Sequence, residues 1–233
     1  NQRVVSVHLS PVRLRNDFLG TVSIFRDITH EVEVDRLKSE FVATVSHELR
    51  TPMTSIKGYV DVILMGASGQ LNEQQQHFLQ IVKANTERLA ILVNDLLDVS
   101  RIEAGKVTLS LQPLELETVA DEVINTIERR MKDENRPMTI EKDIADNLPR
   151  VSGDPARVRQ ILDNLVENAY QYTPVNGHIL IRMRKTDEMV QVDIKDTGIG
   201  ISPEEGKRIF ERFYRGEDPL VLATSGTGLG LSI

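Results

Sequence analysis

The stretch Ser46-His47-Glu48-Leu49-Arg50-Thr51-Pro52 lies in a segment whose apolar residues recur at spacings of three and four. These apolar residues are Val34, Leu37, Phe41, Val45 and Leu49. They form one stripe of an amphipathic α-helix. His47 is two positions from the nearest stripe residue on either side, so at about 100° per residue it points away from the stripe. The sequence therefore predicts a long helix that holds an imidazole out from its surface.

Three interpretations of His47 have to be compared. An imidazole that is neutral near pH 7 has a ring lone pair available for nucleophilic attack, and the neighbouring Glu48 supplies a carboxylate. A solvated surface histidine without a chemical role is the ordinary alternative. A zinc-protease site needs a second histidine four residues on, and that position is Thr51, which argues against zinc. The first two interpretations stay open on this stretch alone.

Composition and charge exclude several classes of protein. The chain has 233 residues, of which 40% are hydrophobic and 27% charged, as in ordinary globular proteins with one large domain or two modest ones. Its net charge of −7 argues against a nucleic-acid surface. It has no cysteine, so it has neither disulfides nor thiolate metal sites. No apolar run reaches the length of a membrane span, so we expect no membrane contact from this sequence.

The N-terminal half predicts a β-hairpin and then a helical hairpin. Residues 4–9 and 19–26 alternate as strands do and are joined around Arg15-Asn16-Asp17. A charged segment from residue 31 to 38 continues into the His47 helix, in which Pro52 predicts a bend rather than a stop. After a glycine-containing break at residues 66–69, Asn72 and Gln75 predict the capped start of a second helix ending near Gly105.

The second helix also carries a long apolar stripe, formed by Phe78, Ile81, Val82, Leu89, Leu92, Leu96 and Val99. Each helix has more apolar surface than one antiparallel partner covers. A second copy of the chain would cover the remainder as a four-helix bundle, so we predict a homodimer. Coverage of the stripes by residues 107–233 is the alternative.

After Gly105 the hydrophobic period changes. The pattern predicts strands at 107–111, 138–144, 179–185 and 189–195, and helices at 115–132 and 155–172, the latter capped by Asp154. Helices mixed with antiparallel strands predict an α+β sandwich, with helices on one face of a sheet. The chain ends in a pattern typical of a helix start, so we expect an excerpt of a longer protein.

Three polar features of this half could bind a ligand. Asn164 and Asn168 are at positions i and i+4 of a helix. They can supply neutral oxygens to a Mg²⁺ ion that is otherwise held by phosphates and water, or they can be ordinary surface residues. Asp196-Thr197-Gly198-Ile199-Gly200-Ile201 directly follows a strand, so backbone and carboxylate can approach a flat ligand together. Gly226-Thr227-Gly228-Leu229-Gly230 precedes a helix start, where free N–H groups favour phosphate.

The segment between the two glycine clusters has the composition of a mobile lid. It contains Phe210, Arg212, Phe213 and Arg215, followed by a stretch without periodicity up to Ser225. Neither a dinucleotide fingerprint nor a Walker lysine is present. The glycine clusters could also be simple turns.

In this order, the segments resemble the sensor histidine kinases of two-component signalling over about residues 27–233. Residues 41–52 are similar to that family's phosphoacceptor box. The N box, first glycine box, phenylalanine box and second glycine box correspond to residues 164–173, 196–201, 209–215 and 226–230. Residues 1–29, ending in Asp-Ile-Thr, resemble the last strands of a PAS sensor domain, with a generic hairpin as the alternative.

The resemblance implies three domains. These are a PAS-like remnant at 1–29, a signalling helix with the dimerisation and phosphotransfer domain at 30–105, and an ATP-binding domain at 106–233 that is incomplete at its C-terminal end. The implied fold is an all-α helical hairpin, a four-helix bundle as a dimer, followed by an α+β sandwich of the Bergerat type. The implied location is the cytoplasm, in a free protein or in the cytoplasmic part of a membrane-anchored sensor.

The resemblance also implies the chemistry. ATP and Mg²⁺ would bind the C-terminal domain, and the γ-phosphoryl group would move to His47 and then to an aspartate in the receiver domain of a response regulator. Glu48 would orient or deprotonate the imidazole. Thr51 would position water that removes phosphate from the regulator.

On the nucleotide side, Asp196 would accept a hydrogen bond from the adenine amino group, Asn168 would ligate Mg²⁺, and Tyr172 would pack near the nucleotide. The whole implied ATP-binding set is Asn164, Asn168, Tyr172, Asp196, Gly198, Gly200, Phe210, Arg212, Phe213, Arg215, Gly226, Thr227, Gly228, Leu229 and Gly230. Gln171 departs from the family, which usually has a basic residue there.

Two other functions stay open. An ATPase of the related gyrase, chaperone and mismatch-repair group would use water as nucleophile, but those proteins carry a glutamate base where this chain has Asn164. A non-catalytic dimeric scaffold with a degenerate ATP domain is the second alternative.

Overall fold

The structure, a computed structural model, describes residues 3–14, 17–224 and 226–233. The predicted turn residues Arg15 and Asn16, and Ser225 at the end of the predicted lid, lie outside the described residues. The chain divides into two compact units, Asn1–Lys106 and Val107–Ile233. Among the residues that the structure describes, no helix combines the length and hydrophobicity needed to cross a bilayer.

The first unit begins with the predicted β-hairpin. Strands β1 (Val5–Leu14) and β2 (Asp17–Asp27) pair antiparallel, with Val5 opposite Asp27 and a bulge next to Val12. Both strands are longer than the sequence predicted. The backbone N–H of Val4 donates to Oγ1 of Thr29 at 2.9 Å, which ties the hairpin to the start of the following helix.

The predicted helical hairpin is confirmed. Helix α1 (Thr29–Leu64) continues through Pro52, and α2 (Glu73–Glu103) begins at a capping box in which Asn72 and Gln75 bond reciprocally at 2.8 and 3.0 Å. The helices run antiparallel and bury Met53, Val60, Val93 and Leu97 between them. Ion pairs also connect them, Lys57–Glu87 at 2.9 Å and Lys83–Asp61 at 2.6 Å.

Most of the predicted α1 stripe is exposed in a single chain. Val34, Leu37, Phe41 and Leu49 are 39–69% exposed. A contiguous apolar surface of this kind is typical of a protein–protein contact. It is the surface on which the predicted homodimer depends.

The second unit is an α+β sandwich, as predicted. Its elements are β3 (Gln112–Leu114), α3 (Leu116–Asp133), β4 (Thr139–Ile144), β5 (Val151–Gly153), α4 (Pro155–Tyr172), β6 (His178–Thr186), β7 (Met189–Asp196), α5 (Pro203–Gly206), α6 (Pro219–Ala223) and a 3₁₀ turn at Gly230–Ser232. The strand predicted at residues 107–111 is wrong, because β3 begins only at Gln112. There it finds a partner in β5, a strand that the sequence analysis missed.

The main sheet has the order β4-β6-β7 and packs against α3 and α4. Its β6–β7 pair is the predicted antiparallel hairpin, whereas β4 runs parallel to β6. The central strand β6 contributes Ile179, Ile181 and Met183, each at most 1% exposed. Val123 of α3 and Val166 of α4 lie in the same apolar core and are 1% exposed. This core fixes α4 and the end of β7 relative to each other.

Candidate functional site

His47 lies on the surface of α1. Its side chain is 75% exposed, whereas the preceding residue, Ser46, is only 1% exposed. Because successive residues of a helix are about 100° apart, burial of Ser46 turns His47 outward. The Nδ1 atom of His47 lies 3.8 Å from Oε1 of Glu48, which is longer than a hydrogen bond. The structure thus brings the predicted nucleophile and its carboxylate near each other without joining them.

A surface groove of about 320 Å³ borders the imidazole and is lined by His47, Arg50, Thr51, Thr54 and Ser55. We call it the acceptor groove. The hydroxyl of Thr51 lies 3.5 Å from the carbonyl oxygen of His47, one turn back. Nη2 of Arg50 donates to Oδ1 of Asn94 on α2 at 2.8 Å. The sequence analysis assigned no role to Arg50, although its i+3 spacing from His47 places it on the same side of the helix.

In the second unit, α4 carries the two predicted amides. Oδ1 of Asp154 caps the helix, accepting from the N–H groups of Ala156 and Arg157 at 3.0 and 3.3 Å. Hydrogen bonds from backbone N–H groups, foremost that of Ser110, hold the pKa of Asp154 below its usual range. Buried Leu162, Val166 and Ala169 anchor the apolar face of the helix.

Asn164 and Asn168 lie one turn apart on α4 and are half-buried. Nδ2 of Asn164 donates to the carbonyl oxygen of Gly230 at 2.9 Å. The structure therefore brings the second glycine cluster onto the amide-bearing helix. In this arrangement Asn164 holds the glycine cluster, and Asn168 is one turn further along.

The first glycine turn joins the C-terminal end of α4 to the end of β7. The N–H of Gly198 donates to Oδ1 of Asp196 at 2.8 Å, and the N–H of Ile199 donates to the carbonyl oxygen of Tyr172 at 3.2 Å. A Cβ on Gly198 would lie 2.4 Å from that same Tyr172 oxygen. Only glycine permits this close approach, which brings Asp196 and Tyr172 together.

The second glycine cluster, residues 226–230, packs against the segment that contains Phe210 and Phe213. The N–H of Phe213 donates to the carbonyl oxygen of Gly228 at 2.8 Å, and both residues have positive φ, +61° and +68°. A Cβ on Gly228 would lie 2.7 Å from the carbonyl carbon of Phe213. Phe210 and Phe213 are 67% and 62% exposed, so neither is part of the core.

The side chain of Arg215 binds backbone groups within the predicted lid and does not extend out of it. Its Nη2 donates to the carbonyl oxygens of Val221 and Thr224, the latter at 2.5 Å. This bond pair closes the segment around α6, which the sequence analysis missed. Asp218 caps α6 by accepting from the N–H of Leu220 at 2.8 Å, and Pro219 occupies its first turn. The Asp-Pro pair was the signal that could have revealed this helix.

Gln171, the position at which the sequence departs from the resembled pattern, is held by a carboxylate. Its Nε2 donates to Oε1 of Glu167 at 2.6 Å, and Glu167 also pairs with Arg130. Nη2 of Arg136 donates to the carbonyl oxygens of Gln171 and Thr173 at 3.2 and 2.7 Å and so caps the end of α4. Neither arginine was identified from the sequence.

A larger groove in the second unit, of about 630 Å³, has Thr118, Val119 and Pro155 in its lining. Its charged residues pair with one another, Arg150 with Glu115 at 2.6 Å and Arg159 with Glu122. These pairs neutralise its charge, so it offers little to an anionic nucleotide.

The donor set near α4 would suit a magnesium ion that is held mainly by the phosphates of a nucleotide. Among residues 3–14, 17–224 and 226–233, no group of three or more histidine, aspartate or glutamate side chains is arranged to hold a metal. The half-buried carboxamide of Asn168 offers one neutral oxygen. Mg²⁺ keeps several waters and takes most other ligands from phosphates, so a single protein oxygen fits it.

Comparison with protein families gives two matches. The family described as "His Kinase A (phospho-acceptor) domain" matches residues 37–105. The family described as "Histidine kinase-, DNA gyrase B-, and HSP90-like ATPase" matches residues 153–233. The first range contains His47 and the second contains α4 and both glycine clusters.

Curated relatives match across both units. The chain is 36% identical over 229 residues to drug sensory protein A of Synechocystis sp., covering 94% of this chain and 34% of the relative. It is 32% identical over 216 residues to the sensor histidine kinase WalK of Bacillus subtilis, covering 92% and 35%. The chain thus spans about a third of the length of these relatives.

Solved structures also match most of this chain. Full-length ShkA in complex with AMPPNP has a TM-score of 0.67 and 31% identity, covering 83% of this chain and 39% of that one. The histidine kinase ThkA in complex with the response regulator TrrA has a TM-score of 0.52 and 25% identity, covering 89% of this chain and 63% of that one.

Proposed function

The chain belongs to the histidine kinases of two-component signalling, and on that premise we propose that it is an ATP-dependent protein-histidine kinase with His47 as phosphoacceptor. The observation that carries the proposal is the exposed imidazole of His47 on a helical hairpin. The same chain contains α4, the helix with Asn164 and Asn168, and both glycine clusters are hydrogen-bonded to that helix. Phosphoryl transfer to histidine requires an imidazole that is exposed to the incoming nucleotide and a site that can hold that nucleotide.

The adenine end of the nucleotide would lie at the first glycine turn. Asp196 is exposed at the end of β7, and one of its carboxylate oxygens already accepts from Gly198. The second oxygen can accept from the adenine amino group. The half-buried Tyr172 and the exposed turn residues around Gly200 would border the base, because the Ile199–Tyr172 bond fixes them side by side.

The phosphates would lie along α4 toward the second glycine cluster, where backbone N–H groups of residues 226–230 can donate to them. The amide of Asn164 keeps that cluster against the helix through Gly230. Asn168 is the residue we assign to hold Mg²⁺, which neutralises phosphate charge when bound. Phe210, Arg212, Phe213, Arg215 and Thr227 would belong to the segment that covers the nucleotide.

Transfer would form one bond and break one bond. Because Nδ1 of His47 faces Glu48, we assign the attack on the γ-phosphorus to Nε2. The N–P bond forms, the P–O bond to the β-phosphate breaks with its electron pair, and ADP leaves. The proton on Nδ1 would pass to the carboxylate of Glu48, whose Oε1 lies 3.8 Å away and would have to approach to hydrogen-bond distance.

We further propose that the chain acts as a homodimer through its exposed α1 stripe and passes phosphate to an aspartate in the receiver domain of a response regulator. The complex of the similar kinase ThkA with a response regulator supports this partner. We assign Thr51, one turn from His47, to orient water for removal of phosphate from that regulator, because its hydroxyl lies 3.5 Å from the carbonyl oxygen of His47 and can be redirected. We place the chain in the cytoplasm, free or as part of a membrane-anchored sensor.

The test is autophosphorylation with γ-labelled ATP and Mg²⁺. We expect label on the protein that is stable in alkali and lost in acid, as a phosphoramidate is, and no label in His47→Gln. His30→Gln and His77→Gln, at the other histidines of α1 and α2, are the matched controls and should label normally. Label that persists in His47→Gln would refute the assignment.

The same assay separates the two alternatives. Rapid release of phosphate with no labelled protein would indicate an ATPase that uses water as nucleophile. Failure of the wild-type chain to bind a non-hydrolysable ATP analogue would indicate a scaffold with a degenerate ATP domain.

A further inference from the structure

The guanidinium of Arg50 is held across the helical hairpin by a neutral amide, that of Asn94. Other cations that bridge the two helices are bound by carboxylates. These are Lys38 with Glu103 at 3.3 Å, Lys57 with Glu87 at 2.9 Å and Lys83 with Asp61 at 2.6 Å. A carboxylate neutralises the cation it fixes, whereas an amide fixes it and leaves its charge available.

The acceptor groove that contains Arg50 is otherwise lined by hydroxyl groups and the imidazole. The hydroxyl of Thr54 donates to the carbonyl oxygen of Arg50 at 2.9 Å. The corresponding contacts of Ser55 and Thr51 are longer, 3.3 and 3.5 Å, so these two hydroxyls can be redirected at little cost. No carboxylate is among the groove's lining residues, and that of Glu48 lies beside the imidazole, 3.8 Å from its Nδ1 atom. A cation and redirectable donors beside a nucleophile suit a dianionic group.

We propose that the acceptor groove receives the phosphoryl group carried by His47, with Arg50 as its cationic contact and Asn94 as a positioning residue that holds Arg50 in place. This inference rests on the proposed histidine kinase function and adds two residues to it. Arg50 and His47 belong to the same helix of the same chain. Their geometry is therefore fixed whichever nucleotide-binding unit delivers the phosphoryl group.

The size of the effect follows from Coulomb's law. Residues three apart on a helix are about 6 Å from each other at Cβ. We take this spacing as the distance between the guanidinium and the transferring phosphoryl group, and we take their contact as made only in the transition state. A unit charge and a dianion at that distance in water then attract by an amount that corresponds to about tenfold in rate. Removal of the Arg50 charge should therefore slow phosphorylation about tenfold at low salt. Because exposed charges are screened, the factor should shrink as salt rises.

The experiment measures autophosphorylation at saturating ATP, without a regulator, in the whole chain. We expect Arg50→Gln to be about tenfold slower and Arg50→Lys, which keeps the charge, to retain most of the rate. Asn94→Ala should slow the reaction by a smaller factor, and Arg50→Gln combined with Asn94→Ala should be no slower than Arg50→Gln alone. Glu87→Gln, which removes a different bridge of the same hairpin, is the matched control and should phosphorylate normally.

Non-additivity is the decisive result, because a purely structural Asn94 would add its own loss to that of Arg50. Equal rates in wild type, Arg50→Gln and Asn94→Ala would overturn the inference while leaving the kinase function intact. Full additivity in the double variant would overturn the role of Asn94. A wild-type chain that takes no label would instead refute the proposed function on which the inference rests. The affinity for a non-hydrolysable ATP analogue should be the same in all variants.

Discussion

Gly198 is the position where one added methyl group should disable the proposed nucleotide site. In Gly198→Ala the new Cβ would lie 2.4 Å from the carbonyl oxygen of Tyr172 and 2.7 Å from Oδ1 of Asp196. A carbon and a carbonyl oxygen approach to about 3.3 Å, so the turn would have to move by about 0.9 Å. That movement breaks the Ile199–Tyr172 hydrogen bond and displaces Asp196, the group assigned to adenine.

The free variant should relieve this overlap by moving the turn, and nucleotide binding would then have to restore the original turn at the cost of overpacking. That cost is about 2 kcal/mol, which corresponds to about thirtyfold weaker binding. We therefore expect Gly198→Ala to bind a non-hydrolysable ATP analogue about thirtyfold more weakly in calorimetric titration with Mg²⁺. Thermal unfolding should show a chain that still folds.

Two other glycines serve as controls. A Cβ on Gly206 meets nothing within 4 Å, and its φ is not positive, so Gly206→Ala should bind and fold as wild type does. A Cβ on Gly200 also meets nothing, but its φ of +72° is left-handed, so Gly200→Ala should lose about 1 kcal/mol of folding free energy. Wild-type affinity in Gly198→Ala would refute the assignment of the base to this turn.

Three further predictions concern other parts of the molecule. Gly228→Ala, whose Cβ would meet the Phe213 backbone at 2.7 Å, should weaken analogue binding; an unchanged dissociation constant would show that this cluster does not contact the nucleotide. Phe41→Glu places a charge on the exposed α1 stripe and should convert the proposed dimer to monomers in analytical ultracentrifugation. Tyr59→Glu places the same charge at another exposed position on α1 and tests whether a charge anywhere on this helix is enough to dissociate the dimer. Asp154→Ala should lower the melting temperature at pH 7. Because the pKa of Asp154 is lowered in the folded state, its stabilisation is present above the pKa of an unfolded aspartate and is lost as pH falls through the lowered value. The difference in melting temperature should therefore vanish in acid; a difference that is constant with pH would contradict this.

Local signals in the sequence predicted the helices well. Asp154 and Pro155 mark the start of α4, and Asn72 with Gln75 marks the start of α2, because caps are formed by residues within a few positions of each other. The same kind of signal was present at Ser202 and Glu205, which form a capping box on α5. There it was missed because the helix is only four residues long and has no apolar period.

Strand pairing was harder to predict because it depends on distant residues. Residues 107–111 alternate as a strand should, yet the structure has a strand only at 112–114, where Val151–Gly153 offers a partner. Strands β4 and β6 are separated in the sequence by the whole of α4, and the sequence of neither strand alone indicates that they pair in parallel. Pattern alone therefore gave the sandwich but not all of its pairs.

At the candidate site, the residues to which we assign chemical roles came from the sequence, whereas the contacts around them did not. His47, Asn168 and Asp196 were identified by motif and position. Asn94, which holds Arg50, is 44 positions from it, and Arg136, which caps α4, is 35 positions from Gln171. Contacts over such distances are determined by tertiary packing, which no local spacing encodes.

The central claim is that a phosphoryl group from ATP becomes bonded to the imidazole of His47. Its most direct test is mass-spectrometric mapping of the phosphorylated residue after incubation of the wild-type chain with ATP and Mg²⁺, with digestion kept at alkaline pH. The account predicts one phosphorylated peptide, with the group on His47. Phosphate on any other residue, or ATP consumed with no phosphorylated peptide, would contradict it.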